Sequence, residues 1–208
     1  MGLVQQFENV FKAMKPALID NKSAFVWLTN LPHPAYNLVT HFSCPDEEME
    51  DFFDFLVKKF PPYIPHLCWV HPENQAKSLE RILLERGYKF LATFPIMTWQ
   101  VEGVEQPLFD IRKARDMQAF YNILAITSKY DQIIVENVAT FLANANAEHY
   151  MGYFEGKPVG IGTLFLNGKT AVVSSLATLK EYQRKGCGRA LMLALMNRAQ
   201  ERDFSRSF

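Results

Sequence analysis

The stretch that most limits what this chain can become is Gln183-Arg184-Lys185-Gly186-Cys187-Gly188-Arg189-Ala190. It follows an apolar run ending in Leu176-Ala177-Thr178-Leu179 and opens onto a wholly apolar segment, 191–196. The pattern reads as a buried strand, a short basic loop with two glycines, and a buried helix. Glycines let backbone amides turn toward a ligand, and a helix N-terminus adds unpaired amides and the positive end of a dipole. Arg184, Lys185 and Arg189 bring formal positive charge to the same point. A Walker A loop would need Gly-x-x-x-x-Gly-Lys followed by Ser or Thr, and no such string occurs. A dinucleotide fingerprint would need Gly or Ala at position 191, which is Leu191. The loop is predicted to cradle an anion.

Composition narrows the partners. The 208 residues are enough for one domain or two small ones, each with a real core. With 49% hydrophobic residues and a formal net charge of zero, neither nucleic acid nor an anionic membrane is expected as a partner. Three cysteines (Cys44, Cys68 and Cys187) without a Cys-x-x-Cys pair argue against a disulfide framework and fit reduced thiols in a cytoplasmic protein. No signal peptide is read at the N-terminus, and no apolar run reaches the roughly 18 residues a membrane span requires.

Taken in order, the chain opens with a predicted helix carrying Leu3, Phe7, Val10, Phe11 and Met14 on one face. Strands are expected at 23–29 and 37–42. A helix follows, started by a capping box at Ser43 and Asp46 and buried through Met49, Phe52, Phe53, Leu56 and Phe60. A strand at 66–70 precedes a helix through Ala76, Leu79, Ile82 and Leu83, closed by Gly87. Two strands bent at Pro95 should fill 89–101, and the polar passage 102–107 is the candidate linker. Beyond it a strand at 108–111 leads to two helices capped by Asp116 and Asp131. An antiparallel meander (149–154, 159–166 and 170–179) follows, turning at Gly156 and at Asn167-Gly168. The last helix is placed at 188–202.

Gln-x-x-Gly-x-Gly after such a strand resembles the acyl-coenzyme A loop of the GCN5-related N-acetyltransferase (GNAT) superfamily, and Glu155-Gly156-Lys157-Pro158-Val159-Gly160 resembles that family's hairpin between its second and third strands. The resemblance covers about 100 residues. It implies an α/β (α+β) fold: a mixed, mostly antiparallel sheet flanked by helices. By the family's pattern a fifth strand should begin near the end of this sequence, so the wedge for the acyl chain is expected to have one wall. The segment 66–100 in turn resembles the C-terminal piece of an acetyltransferase. Two arrangements compete. One is a tandem of GNAT-like halves, 1–104 degenerate and 105–208 binding acyl-coenzyme A, and this one is favoured. In the other, the N-terminal piece completes the sheet, in cis or in a swapped dimer.

The resemblance implies an acetyl-coenzyme A-dependent N-acetyltransferase acting on an amine of a small molecule or protein. The alternative is a non-catalytic acyl-coenzyme A-binding or interaction module. The cofactor-binding residues implied are Leu176, Ala177, Thr178, Gln183, Arg184, Lys185, Gly186, Cys187, Gly188 and Arg189, acting largely through their backbone. Glu136, Glu148, Ser174 and Ser175 border the expected cleft, but a solvated or structural role fits each better, so no catalytic side chain is assigned. Leu83 stands at the N-terminal match to the family's frequent tyrosine acid, which supplies no replacement. His66, Cys68 and His71 do not share a strand face, so packing is expected there and no metal. Cys187, between two glycines, is read as packing. An uncovered fourth strand would be an exposed edge, a route to a homodimer.

Overall fold

The structure is a computed structural model that describes residues 17–29, 31–61, 63–71, 78–93, 99–100, 109–167, 170–202 and 206–207. The predicted helix at 3–14 and the linker at 102–107 lie outside these residues. Two compact units emerge, one spanning Lys15–Pro95 and the other including Ile96–Phe208.

The first unit holds a four-stranded sheet in the order β1-β2-β3-β4, made by β1 (Ala17–Asn21), β2 (Ala24–Leu28), β3 (Asn37–Thr40) and β4 (Leu67–Trp69). The first three are antiparallel, and β4 runs parallel to β3. Between them crosses α1 (Met49–Lys59), whose stripe Met49, Phe52, Phe53 and Leu56 joins Val26 and Val39 in one core. α2 (Leu79–Glu85) adds Leu79, Ile82 and Leu83.

The capping box does not form. Ser43 Oγ instead donates to the Lys22 carbonyl at 2.8 Å, and a 3-10 turn, Asp46–Glu48, intervenes before α1. A side-chain bond to the turn between β1 and β2, 21 residues away, has outcompeted the cap. Gly87 does close α2, with φ of 84°. Among the described residues of 89–101 only Trp99–Gln100 is a strand; 89–93 is irregular.

The second unit carries a six-stranded sheet ordered β5-β10-β9-β8-β7-β6. Its strands are β5 (Trp99–Gln100), β6 (Asp110–Lys113), β7 (Ala147–Phe154), β8 (Lys157–Asn167), β9 (Thr170–Thr178) and β10 (Arg206–Ser207). β6 to β9 form the antiparallel meander. α3 (Met117–Ser128) and α4 (Gln132–Asn144) start where Asp116 and Asp131 accept from the amides of Ala119 and Ile134, at 3.0 and 2.9 Å. α5 (Cys187–Glu201) follows the basic loop.

One expectation is corrected here. A short fifth strand does exist: β10 pairs parallel to the start of β9, Arg206 with Thr170 and Ser207 with Ala171. β5 then pairs antiparallel on the outer side of β10. The fourth strand is therefore covered at its beginning. From 172 onward it has no strand on that side among the described residues.

α5 lies unusually close to the sheet because glycines face it. A methyl group at Gly160 would sit 2.9 Å from both Cys187 Sγ and Leu191 Cδ1 and 3.0 Å from the Ala177 carbonyl oxygen. At Gly162 it would meet Leu195 Cδ1 at 2.7 Å. Gly160→Ala should therefore cost about 1–3 kcal/mol through overpacking. The check is a fall in the urea midpoint at unchanged m-value.

Candidate acyl-coenzyme A site

The site begins with an irregularity in β9. Ile161 pairs with Ala177, yet Thr163 pairs with Ser174, so β9 carries one residue more than β8 over this interval. The extra residue is accommodated by Ser175, at φ of 51°, and the result is a β-bulge. A bulge interrupts the ladder and re-aims the backbone, here where β9 also loses its neighbour on the other side.

Beyond the bulge, Leu176, Ala177 and Thr178 form one wall of a cleft of about 390 Å³, and Gln183, Arg184, Gly186, Gly188 and Arg189 form the rest. A 3-10 turn, Lys180–Tyr182, carries the chain from strand to loop. Gln183 Nε2 donates to the Thr178 carbonyl at 3.0 Å, pinning the loop to the strand end. Arg184 and Gly186 both take left-handed backbone, φ 59° and 92°, which curls the loop back on itself. Gly186 then caps α5 without a side-chain hydrogen bond, and the first intrahelical bond runs from the Ala190 amide to the Gly186 carbonyl at 2.9 Å. The first-turn amides thus lack the i−4 partners that interior amides have.

The expected cofactor residues divide in two. Eight line the cleft; Lys185 and Cys187 do not. The Lys185 ammonium lies over the rings of Tyr182 and Phe154, 5.3 and 5.8 Å from their centroids. The Cys187 side chain points into the core, 1% exposed, and burial pushes its thiol pKa up. That thiol is a packing group, disfavoured as a thiolate.

The cleft suits a phosphorylated ligand. Its lining includes two arginines and no carboxylate. A Cβ at Gly188 would meet only Thr178 Oγ1, at 3.7 Å, so the space beside the helix start is open for a ligand. Amides, dipole and guanidinium groups all favour an anion there.

Residues 113–208 match the Acetyltransferase (GNAT) family. Over this segment the chain is similar to the GNAT superfamily. A solved structure of a GCN5-related N-acetyltransferase from Kribbella flavida superposes on this chain with a TM-score of 0.70 at 13% identity, covering 100% of this chain and 85% of that one. A functionally unknown conserved protein from Staphylococcus epidermidis gives a TM-score of 0.61 at 12% identity, with 93% and 82% covered. A search of curated proteins found no match. The mixed, mostly antiparallel sheet with flanking helices is the GNAT fold.

The residues weighed for acid–base work fall elsewhere. Glu148, 6% exposed on β7, is the centre of an ion-pair cluster. It accepts from Arg198 at 2.9 Å, from Arg202, and from the Tyr150 hydroxyl at 2.9 Å, with Lys113 Nζ at 3.6 Å. The Arg198 hydrogen bond leads in holding its carboxyl down to about 2, so it is no proton acceptor near neutrality. Glu136 is exposed on α4 and bonded by Gln132 Nε2 at 2.9 Å. Ser174 stands next to the bulge, and Ser175 forms it.

Among the described residues no group of His, Cys, Asp and Glu has the arrangement of a metal site. His66 Nε2 lies 2.6 Å from the Tyr88 hydroxyl and its ring stacks on Phe60 at 4.2 Å. Burial pushes the Cys68 thiol up to about 12. His66 and Cys68 are packing groups. No helix among the described residues is long and apolar enough to cross a membrane.

The sequence missed the Glu148 cluster and the bulge. Arg198 and Arg202 are 50 and 54 residues from Glu148, and no local spacing links them. Ser175 is an ordinary residue in a left-handed conformation, without the glycine that would have marked it.

Proposed function

We propose that the chain is an acetyl-coenzyme A-dependent N-acetyltransferase that acts on an amine of a small molecule or protein. The observation that carries this reading is the cleft joining the bulged end of β9 to the start of α5. Backbone amides over 183–189, with Arg184 and Arg189, would hold the coenzyme A pyrophosphate. The β9 backbone at 176–178, free of a strand partner on its outer side among the described residues, would pair with the pantetheine amides. Bound acetyl-coenzyme A supplies an activated acetyl thioester. The residues around the bulge then have two tasks: to polarise the thioester carbonyl through a backbone amide near Leu176 or Thr178, and to leave room for a neutral amine.

The two units are further proposed to be a tandem pair in which only the second binds cofactor. Repeated topology supports this: β1-β2-β3-α1-β4 and β7-β8-β9-α5-β10 are both a three-strand meander, a helix, and a strand parallel to the third. At the crossing where the second unit has its basic glycine loop, the first has no glycine and has Asp46, Glu47 and Glu48. That charge would repel a pyrophosphate.

Calorimetry with acetyl-coenzyme A and thiol release on a panel of primary amines test the proposal together. Micromolar binding with turnover on at least one amine is the expected result. Binding without turnover on any acceptor would point to the non-catalytic module, and absence of binding would overturn the cofactor assignment itself.

A further inference from the structure

Besides Glu148, the second unit carries another polar cluster in its sheet, on the face toward α3, with Thr163 buried and His149 and Ser174 half-buried. His149 of β7, Thr163 of β8 and Ser174 of β9 stand side by side across three strands, His149 paired with Thr163 and Thr163 with Ser174. Directly opposed residues project from the same face with Cβ atoms about 4.5–5.5 Å apart, so the three side chains form a row. The face is set by Phe120 of α3, whose ring centroid is 5.1 Å from that of His149. The row runs from the sheet interior to the edge of the bulge, where Ser174 is the last residue in regular register.

A side-chain hydrogen bond joins one end of the row, and strand pairing brings Ser174 beside the other. His149 Nδ1 is 3.1 Å from Thr163 Oγ1, and Thr163 is fully buried. The Leu142 backbone acts on the imidazole in the sense that favours its protonated form. In the neutral tautomer protonated at Nε2, Nδ1 accepts from the Thr163 hydroxyl. If the ring gains a proton at Nδ1, the bond to Thr163 reverses direction. Leu142 lies in the last turn of α4, at the negative end of its dipole, which favours a cation.

We propose that His149 is a positioning residue for amine acetylation, the terminal proton acceptor of a relay through Thr163 and Ser174. This rests on the acetyltransferase reading above. The incoming ammonium gives one proton to Ser174 Oγ. The Ser174 hydroxyl proton passes to Thr163 Oγ1, and the Thr163 proton passes to His149 Nδ1. The neutral amine then attacks the thioester carbon, the C–S bond breaks, and the amine's second proton goes to the departing thiolate. His149 returns its proton to solvent once product leaves, so one proton is released per turnover. Burial depresses the imidazole's own pKa, and Lys113 of β6 pushes the same way, so His149 begins neutral. α3 presents Phe120 to it and β8 the Thr163 hydroxyl, while the Leu142 backbone of α4 pushes its pKa the other way.

The test uses the full chain, acetyl-coenzyme A and whichever primary amine of the panel turns over fastest. Thr163→Val keeps the shape and removes the hydroxyl; Thr163→Ser keeps the hydroxyl. At pH 7, Thr163→Val, Ser174→Ala and His149→Gln should each lower kcat about a hundredfold, within the range for lost acid–base assistance, with the acetyl-coenzyme A Kd unchanged. Thr163→Ser should restore most of the rate. The deficit should shrink as pH approaches the amine's own pKa of about 10, where the relay is unnecessary. A loss equal at every pH, or full activity in Thr163→Val, would overturn the relay while leaving the acetyltransferase reading intact. A native chain that binds no acetyl-coenzyme A would overturn that reading, and the relay with it.

Discussion

Gly186→Glu should lose measurable affinity for acetyl-coenzyme A while the chain stays folded. Gly186 sits at φ of 92°, a conformation that penalises any side chain, and it caps α5 at the mouth of the cleft. A glutamate there would put a carboxylate against the pyrophosphate and against the helix amides meant to receive it. An anion at a helix N-terminus gains up to about 2 kcal/mol, which the glutamate would take in the ligand's place, and disrupting charge-assisted hydrogen bonds costs more. A combined loss of about 3 kcal/mol or more corresponds to at least a hundredfold in Kd. The fold should survive at a cost of about 1–2 kcal/mol for a side chain in left-handed backbone, because a Cβ at Gly186 meets only Phe109 Cε2, at 3.5 Å. Titration calorimetry with coenzyme A, set beside an unchanged far-ultraviolet circular dichroism spectrum, decides it. Undiminished binding would mean that the anion site is elsewhere. Gly188→Ala is the milder companion: its methyl is accepted by the protein but stands where the ligand would lie.

The features legible in the sequence were those written in neighbouring residues. Asp116 and Asp131 cap their helices because a short carboxylate reaches the amide three residues on, a contact that needs nothing distant. The Gln183 to Gly188 loop was legible for the same reason, since its glycines and charges are contiguous. Ser43 misled because a turn carbonyl 21 residues away, which no local pattern reveals, won over the local cap. The two-residue strand β10 was hidden because its partner, Thr170-Ala171, is 36 residues away, and so short a run carries no periodicity. The His149–Thr163 pair lies on adjacent strands in a register that the alternation of apolar residues does not reveal. The loop residues proposed to hold the cofactor were therefore readable in the sequence, whereas the row proposed to act across the meander needed the fold.

That contrast is sharpest at Glu148, where a residue weighed as a general base proves to be an anchor. Its carboxylate joins β7 to Arg198 and Arg202 in the last turns of α5, and to Lys113 on β6. The helix whose start forms the anion cradle is thereby fastened at its far end. Glu148→Ala should lower stability by about 2–4 kcal/mol: removal of a buried partner costs about 3–5 kcal/mol, reduced here because the cations are partly exposed. Glu148→Gln should lose somewhat less, keeping a hydrogen-bond acceptor but no charge. The same carboxylate gives an acid signature. Its pKa falls from an unfolded value near 4.5 to about 2 in the fold, so its stabilisation is fully present above about pH 4.5 and is lost as pH falls toward 2. The shift is equivalent to roughly 3 kcal/mol. Urea midpoints measured from pH 6 down to pH 2.5 should converge for the native chain and Glu148→Gln, because acid removes from one what mutation has removed from the other. Parallel curves across that window would show that the cluster does not hold the helix, and that α5 rests on its glycine-lined contact with the sheet alone.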